Sequence, residues 1–161
     1  MNNLNERNYL QILLSLSIAI LASALIIEYG FGFQPCNLCI IERIPYGLAI
    51  ITLILNFIFR KNQVFFSILL ILLFLFSFLI SVYHFSIEQG LIEETTLCKS
   101  KNLNLITKDE ILSSFEILEL SCKNVAFKIL GLSLTTYNII LSIFMFLLSV
   151  KFYLISNDIK K

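Results

Sequence analysis

Four long apolar runs, separated by polar segments of unequal length, set the pattern of this sequence. A segment needs about 20 apolar residues to cross the ~30 Å of hydrocarbon in a bilayer, and four segments approach that length, at about 9–27, 44–59, 64–85 and 134–155. The second run is short, but Pro45 suits the first turn of a helix that begins in the headgroup layer. Lipid offers backbone groups no other partners and four spans cannot close a barrel, so each run is predicted to be a helix. We therefore expect an all-α integral membrane four-helix bundle that forms a single domain over residues 1–161.

Composition agrees with a membrane protein and not with a soluble domain. Of the 161 residues, 58% are hydrophobic, 14% are charged and 15 are Phe, and the mean hydropathy is +0.88. These values are extreme for a soluble domain. A net charge of +1 gives no basic surface for nucleic acid, and the sequence has neither a Gly-rich phosphate loop nor a zinc-finger spacing with His. No nucleic-acid partner and no nucleotide chemistry are expected.

The four cysteines lie in two of the three connections between the predicted spans. Cys36 and Cys39 form a C-x-x-C in the first connection, at about 28–43, while Cys98 and Cys122 lie in the long third connection, at about 86–133. With four spans, the first and third connections face the same side of the membrane. All four cysteines are therefore expected in one compartment.

The orientation follows from charge density and redox chemistry. Lys and Arg are divided evenly between the two sides, but Arg60 and Lys61 fill the tight second connection and Lys160 and Lys161 end the chain. This density next to the spans favours cytoplasmic termini. Stable disulfides also need an oxidising space. The cysteine connections are therefore predicted to be periplasmic, or on the equivalent outer side.

A cleaved leader peptide is the alternative reading of the first run. Ala22-Ser23-Ala24 provides an A-x-A site behind an apolar segment. However, the apolar run continues to Ile27, and Arg7 in the preceding region is offset by Glu6. We favour a retained span; cleavage would remove one helix and still leave both cysteine pairs outside.

The long third connection carries a helical pattern of its own. Residues 107–110 match a capping box, and apolar residues follow at helical spacing: Ile111, Leu112, Phe115 and Leu118. This pattern predicts a short amphipathic helix on the membrane surface. An ordinary surface helix packed on the span ends fits equally well. Either arrangement would hold Cys122 close to the bilayer.

The C-x-x-C has the composition of a redox centre. Its two sulfurs lie within one helical turn, so a disulfide there opens and closes with little backbone movement. If the second helix begins near Pro35, its positive end favours the thiolate of Cys36 and Cys39. Arg43 lies four residues beyond Cys39, where it can stabilise a thiolate or polarise a carbonyl ligand. Arg43 snorkelling to lipid phosphates is the alternative, but the adjacent C-x-x-C favours a functional role.

His84 is the only histidine, near the outer end of the third span. An ionisable group at that depth is costly in lipid, so it is expected to face other helices or a ligand. Buried histidines more often make structural hydrogen bonds. His84 is therefore a ligand candidate with a structural role as the commoner alternative.

Cys98 and Cys122 are 24 residues apart, which is not a zinc spacing. A four-thiolate metal site with the C-x-x-C lacks the support of a second C-x-x-C. A structural disulfide, worth about 3 kcal/mol, is the main alternative to a redox role. It does not explain why a second pair stands at a helix start beside an arginine.

Several of these residues together resemble the DsbB family of bacterial disulfide bond formation proteins. The resemblance runs nearly end to end and is most specific in Pro35-Cys36-x-Leu38-Cys39-x-x-x-Arg43 followed by Pro45-Tyr46. Tyr83-His84 before residues 88–90 supports it, as does Gly131-Leu132-Ser133-Leu134 with Asn138, which otherwise suits a hydrogen bond between helices. The resemblance implies a multi-pass protein of the bacterial inner membrane.

The resemblance also implies a reaction. A reduced periplasmic DsbA-like partner with a thioredoxin fold attacks a Cys98–Cys122 disulfide, and the mixed disulfide is carried by Cys98. Cys122 then attacks Cys36 and frees Cys39 as a thiolate beside a quinone, either ubiquinone or menaquinone. Arg43 positions and polarises the quinone, and His84 is a further quinone contact. The competing hypotheses are a non-catalytic membrane interaction protein with two structural disulfides, and a related enzyme with another client or electron direction.

Overall fold

The computed structural model describes residues 2–59, 62–93, 98, 122, 128–129 and 131–160. Four long helices dominate this part of the chain: α1 (Asn2–Leu25), α2 (Asn37–Ile58), α3 (Gln63–Glu88) and α4 (Leu134–Lys160). Helix α1 continues into one π-helical segment, Ile26–Gly30. Each helix is long and apolar enough to cross a bilayer. The prediction of an all-α four-helix membrane bundle is confirmed.

Helix α2 begins earlier than the apolar run at 44–59 indicates. It starts at Asn37, with Cys36 as its N-cap: the Cys36 sulfur accepts a hydrogen bond from the backbone N–H of Cys39 at 3.3 Å. Pro45 therefore lies inside the helix and not in its first turn. Proline is tolerated inside membrane helices, where the surrounding protein can satisfy the carbonyl left without an N–H donor. The early start puts Cys39 in the first turn of α2.

The bundle core is built from all four helices. Its buried apolar side chains are Leu10 and Leu13 of α1, Tyr46, Ala49 and Leu53 of α2, Leu70 and Phe74 of α3, and Met145 and Phe152 of α4. Buried serines lie beside them, and several donate to the carbonyl four residues earlier in the same helix, as Ser149 does to Met145 at 2.9 Å. Small side chains of this kind let helices approach closely within a membrane.

The outer faces of the helices are apolar as well. Large exposed hydrophobic side chains include Phe65, Leu72 and Leu79 of α3 and Leu147 of α4. A soluble bundle would place polar residues on such faces. This surface suits lipid as the surrounding solvent.

A short β-hairpin precedes α4, which the sequence pattern did not predict. Strand β1 (Lys128–Ile129) pairs antiparallel with β2 (Leu132–Ser133). Gly131 in the turn has φ of 83°, a conformation that favours glycine. Strands of two residues are too short to show alternation of apolar and polar positions. The amphipathic helix predicted from residues 107–118 lies outside the described residues.

Candidate functional site

The structure brings the two cysteine pairs together. Cys36, Cys98 and Cys122 pack in one buried cluster with Leu38 and Ile87, and Cys39 lies against it. Cys98 and Cys122 are joined as a disulfide, with their Cα atoms 5.5 Å apart. The cluster lies where α2 begins and α3 ends, so we refer to it as the cysteine end of the bundle. All four cysteines singled out from the sequence meet there.

Cys36 and Cys39 are free thiols in close contact. Their sulfur atoms are 2.7 Å apart, and Cys36 is buried while Cys39 is partly exposed. The spacing follows from the helix start, because an N-cap and the third residue of the first turn face each other. The pair is thus held where a disulfide needs only side-chain rotation to form.

His84 bridges the C-x-x-C to a carboxylate. It is only 3% exposed, with Nε2 lying 3.5 Å from the Cys36 sulfur and Nδ1 lying 2.9 Å from Oε1 of Glu42. The sequence suggested a structural histidine or a ligand contact. The structure gives His84 two hydrogen-bond partners: the Cys36 thiol, 48 positions earlier, and Glu42 of α2.

Cys36 is poised as a thiolate. The hydrogen bond from the Cys39 thiol contributes most, and the hydrogen bond and charge of His84 add to it; together they outweigh burial and lower the pKa of Cys36 to about 5. An ordinary cysteine has a pKa near 8.5. This environment therefore favours the thiolate form of Cys36, which is the form that takes part in disulfide exchange.

Glu42 is a site residue that the sequence analysis missed. It is 7% exposed in α2, and its two carboxylate oxygens accept from different helices: Oε1 faces His84 of α3, and Oε2 accepts from Asn138 of α4 at 2.8 Å. A buried carboxylate is costly in lipid unless it is paired. The available signal was its position three residues after Cys39, on the same face of α2.

Asn138 extends this network across the bundle. Its amide also donates to Ser81 at 2.8 Å, and its carbonyl oxygen accepts from the Tyr46 hydroxyl at 2.7 Å. The Tyr46 hydroxyl in turn lies 3.0 Å from the Ser142 hydroxyl. The expected hydrogen bonding of Asn138 between helices is therefore present, linking α2, α3 and α4 directly beneath the cysteines.

Arg43 forms an ion pair with Glu28. The Nη1 atom donates to the carboxylate of Glu28, which lies in the π-helical segment after α1, and both side chains are partly buried. The sequence placed Arg43 near the Cys39 sulfur; its described partner is Glu28, which the sequence analysis did not single out. The pair fixes the guanidinium near the N-terminal end of α2.

The surface around Cys39 and Arg43 is apolar and open. Ile40 and Ile44, which follow Cys39 and Arg43 directly in α2, are 48% and 53% exposed. A partly exposed thiol and a cation beside exposed apolar side chains could hold a lipophilic ring that carries carbonyl oxygens.

Comparisons with known proteins find a matching family and a relative. A family model described as "Disulfide bond formation protein DsbB" matches residues 6–152. An uncharacterized protein of Rickettsia prowazekii (strain Madrid E), RP370, is 35% identical over 153 residues, which cover 91% of this chain and 88% of the relative. No solved structure matches the chain.

Proposed function

Because the chain belongs to the DsbB family of disulfide bond formation proteins, we propose that it is a quinone-linked thiol oxidase. In this proposal it reoxidises a periplasmic DsbA-like partner and passes two electrons to a membrane quinone. The enzyme lies in the bacterial inner membrane with both termini in the cytoplasm and its cysteine end in the periplasm. Family membership carries disulfide oxidoreductase activity in general; the partner, acceptor and orientation are the proposal.

One observation carries the proposal: both cysteine pairs pack in a single buried cluster. Thiol–disulfide exchange requires a thiolate to reach a disulfide sulfur directly. Two purely structural disulfides have no need to share a cluster or to lie beside a histidine and a carboxylate. Their convergence supports a relay between the pairs.

The relay begins at the loop disulfide. A partner thiolate attacks Cys98, forming a mixed disulfide and releasing Cys122 as a thiolate. Cys122 then attacks Cys36 of an oxidised Cys36–Cys39 pair, and the Cys39 thiolate leaves. The second partner thiol resolves the mixed disulfide and frees Cys98, which attacks Cys122 and releases Cys36. The partner gains a disulfide, and Cys36 and Cys39 hold the two electrons.

His84 and Glu42 act in the last of these exchanges. A thiol with a lower pKa leaves faster from a disulfide, and the contact of His84 with the Cys36 sulfur stabilises that leaving thiolate. Glu42 fixes the ring through Nδ1. The histidine and the carboxylate thus favour release of Cys36 from Cys122.

Cys39 and Arg43 would hold the quinone. When bound, a quinone supplies the electron acceptor, taking up two electrons and two protons in all. Arg43 would donate to one of the quinone's carbonyl oxygens, since a guanidinium has five N–H donors and the Nη1 contact with Glu28 does not occupy them all. Ile40 and Ile44 supply the apolar surface beside it.

The test is turnover of the purified protein in detergent. Given a reduced DsbA-like protein and a ubiquinone or menaquinone analogue, the wild-type chain should reduce one of the quinones. The change in absorbance of the quinone measures the reaction. Cys39→Ser should abolish quinone reduction and still form the mixed disulfide on Cys98, because the loop pair is intact. DsbA is a strong oxidant at about −120 mV, so few other acceptors are able to reoxidise it.

Absence of turnover with both quinones would contradict the proposal. The alternative of two structural disulfides would then be favoured. It is tested by thiol alkylation in graded redox buffers, where a structural disulfide stays closed until about −300 mV or below.

A further inference from the structure

The side chains around Cys36 form a ligand set for a metal ion. Sγ of Cys36, Sγ of Cys39 and Nε2 of His84 all lie within 4.8 Å of one another, and both cysteines are free thiols. Thiolate sulfur and imidazole nitrogen are ligands that Zn²⁺ prefers. We propose that these three side chains bind a thiophilic divalent ion, Zn²⁺, whenever Cys36 and Cys39 are both reduced.

The distances are close to those of a tetrahedral zinc site. Bond lengths of about 2.3 Å to sulfur and about 2.0–2.1 Å to nitrogen place a sulfur and a nitrogen ligand about 3.5 Å apart and two sulfurs about 3.8 Å apart. The Cys36 sulfur already lies 3.5 Å from Nε2 of His84. The two sulfurs are 2.7 Å apart. They separate by about 1 Å if the partly exposed Cys39 side chain rotates, which leaves α2 in place.

The surroundings of His84 match those of a metal ligand. A ligating histidine almost always donates its other ring N–H to a carboxylate or carbonyl, which fixes the tautomer and orients the ring. Nδ1 of His84 lies 2.9 Å from Glu42, and Asn138 holds the second oxygen of that carboxylate. The same contacts leave Nε2 to face the cysteines. Glu42 and Asn138 therefore already orient the His84 ring as a metal-bound imidazole requires.

Charge balance favours the ion in this buried place. Zn²⁺ with two thiolates and one neutral imidazole is a neutral group, which is much less costly to bury than an isolated charge. The cluster of Cys36, Cys39 and His84 gives up two protons to solvent on binding, and no electrons are exchanged. Three protein ligands leave a fourth position open, as in catalytic zinc sites. Because both sulfurs are used, metal binding and the Cys36–Cys39 disulfide exclude each other.

Cobalt provides the test, since tetrahedral Co²⁺ bound to thiolates absorbs visible light. The protein would carry Cys98→Ser and Cys122→Ser, so that Cys36 and Cys39 are its only thiols. After reduction and anaerobic removal of the reductant, titration should show visible absorption that saturates at about one Co²⁺ per chain, and Zn²⁺ should displace it.

Single substitutions in this background identify the ligands. Cys36→Ser and Cys39→Ser should each remove the visible band. Glu42→Gln should weaken binding by about 10–100-fold, the usual effect of losing a carboxylate behind a metal-bound histidine. Glu88→Gln is the matched control, because it makes the same change on α3 one turn beyond His84. The described partners of His84 are Cys36 and Glu42, and Glu88 is not among them. It should leave the affinity unchanged.

Two results would overturn the site: no visible band in the serine background, or undiminished binding after Cys36→Ser or His84→Ala. If the serine background does not fold, the native chain provides the test. Zn²⁺ should then slow alkylation of Cys36 and Cys39, identified by peptide mass, and an unchanged rate contradicts the proposal.

The metal site does not depend on the proposed oxidase activity. The titration contains neither a partner protein nor a quinone, so either proposal can fail while the other stands. If both hold, Zn²⁺ should block turnover of the reduced enzyme, and a chelator should restore it.

Discussion

At the scale of single residues, the chemistry of Cys36 is set by side chains that are distant in sequence. Cys39 is three residues away, but His84 comes from α3 and is itself held by Glu42. The sequence identified the cysteines, Arg43 and His84 as candidates because each residue type is reactive or costly at its position. It did not identify Glu42, since the spacing of Glu42 from Cys39 was the local signal and does not reveal a pairing with a histidine 42 residues later.

We predict that alkylation of Cys36 depends on pH in an unusual range. The thiolate reacts, and its fraction grows as pH rises through the pKa, so the rate should rise through a midpoint near pH 5 and be level at neutral pH. His84→Asn removes the hydrogen bond and charge of the imidazole, so its midpoint should move to higher pH. The measurement is alkylation of the reduced protein in chelator-containing buffer, with Cys36 followed by peptide mass. A wild-type midpoint near 8.5, the ordinary cysteine value, would contradict the account.

At the scale of elements, hydropathy predicted the four helices but not where α2 begins. Hydropathy marks the part of a helix that is buried in lipid, whereas α2 continues through a polar turn to its N-cap at Cys36. The hairpin of β1 and β2 was missed for a different reason: each strand has only two residues. The hairpin at the described end of the third connection turns at Gly131, and a pattern of apolar residues does not predict such a turn.

We predict opposite effects of alanine at two glycines. Gly131→Ala should destabilise the protein by about 1–2 kcal/mol, because φ of 83° is unfavourable for a residue with a Cβ. Gly47→Ala should stabilise it by up to about 1 kcal/mol, because Gly47 lies inside α2 with nothing within 4 Å of an added Cβ. Thermal unfolding of the detergent-solubilised variants provides the measurement. A stabilising Gly131→Ala would show that the turn conformation is wrong.

At the scale of the whole molecule, the outer faces of the helices are apolar, while a buried hydrogen-bond network lies inside the cysteine end of the bundle. Four spans predicted that both cysteine connections lie on one side, and the structure brings both pairs into one cluster. The sequence could not predict this contact, because the position of a long connection over the helix ends depends on tertiary packing. The network from Glu42 through Asn138 to Tyr46 ties the same end of α2 and α4 together. The site is thus supported by three helices and not by the connections alone.

The central claim, that the two cysteine pairs form one relay, is tested most directly by trapping the bond between them. In the variant with Cys39→Ser and Cys98→Ser, only Cys36 and Cys122 remain. Mild oxidation should join them, so that peptide mapping finds one disulfide-linked Cys36–Cys122 peptide pair in most molecules. The control with Cys39→Ser and Cys122→Ser leaves Cys36 and Cys98 and should give a much lower yield. If Cys36 and Cys122 instead remain separate thiols that are both alkylated, the relay is contradicted.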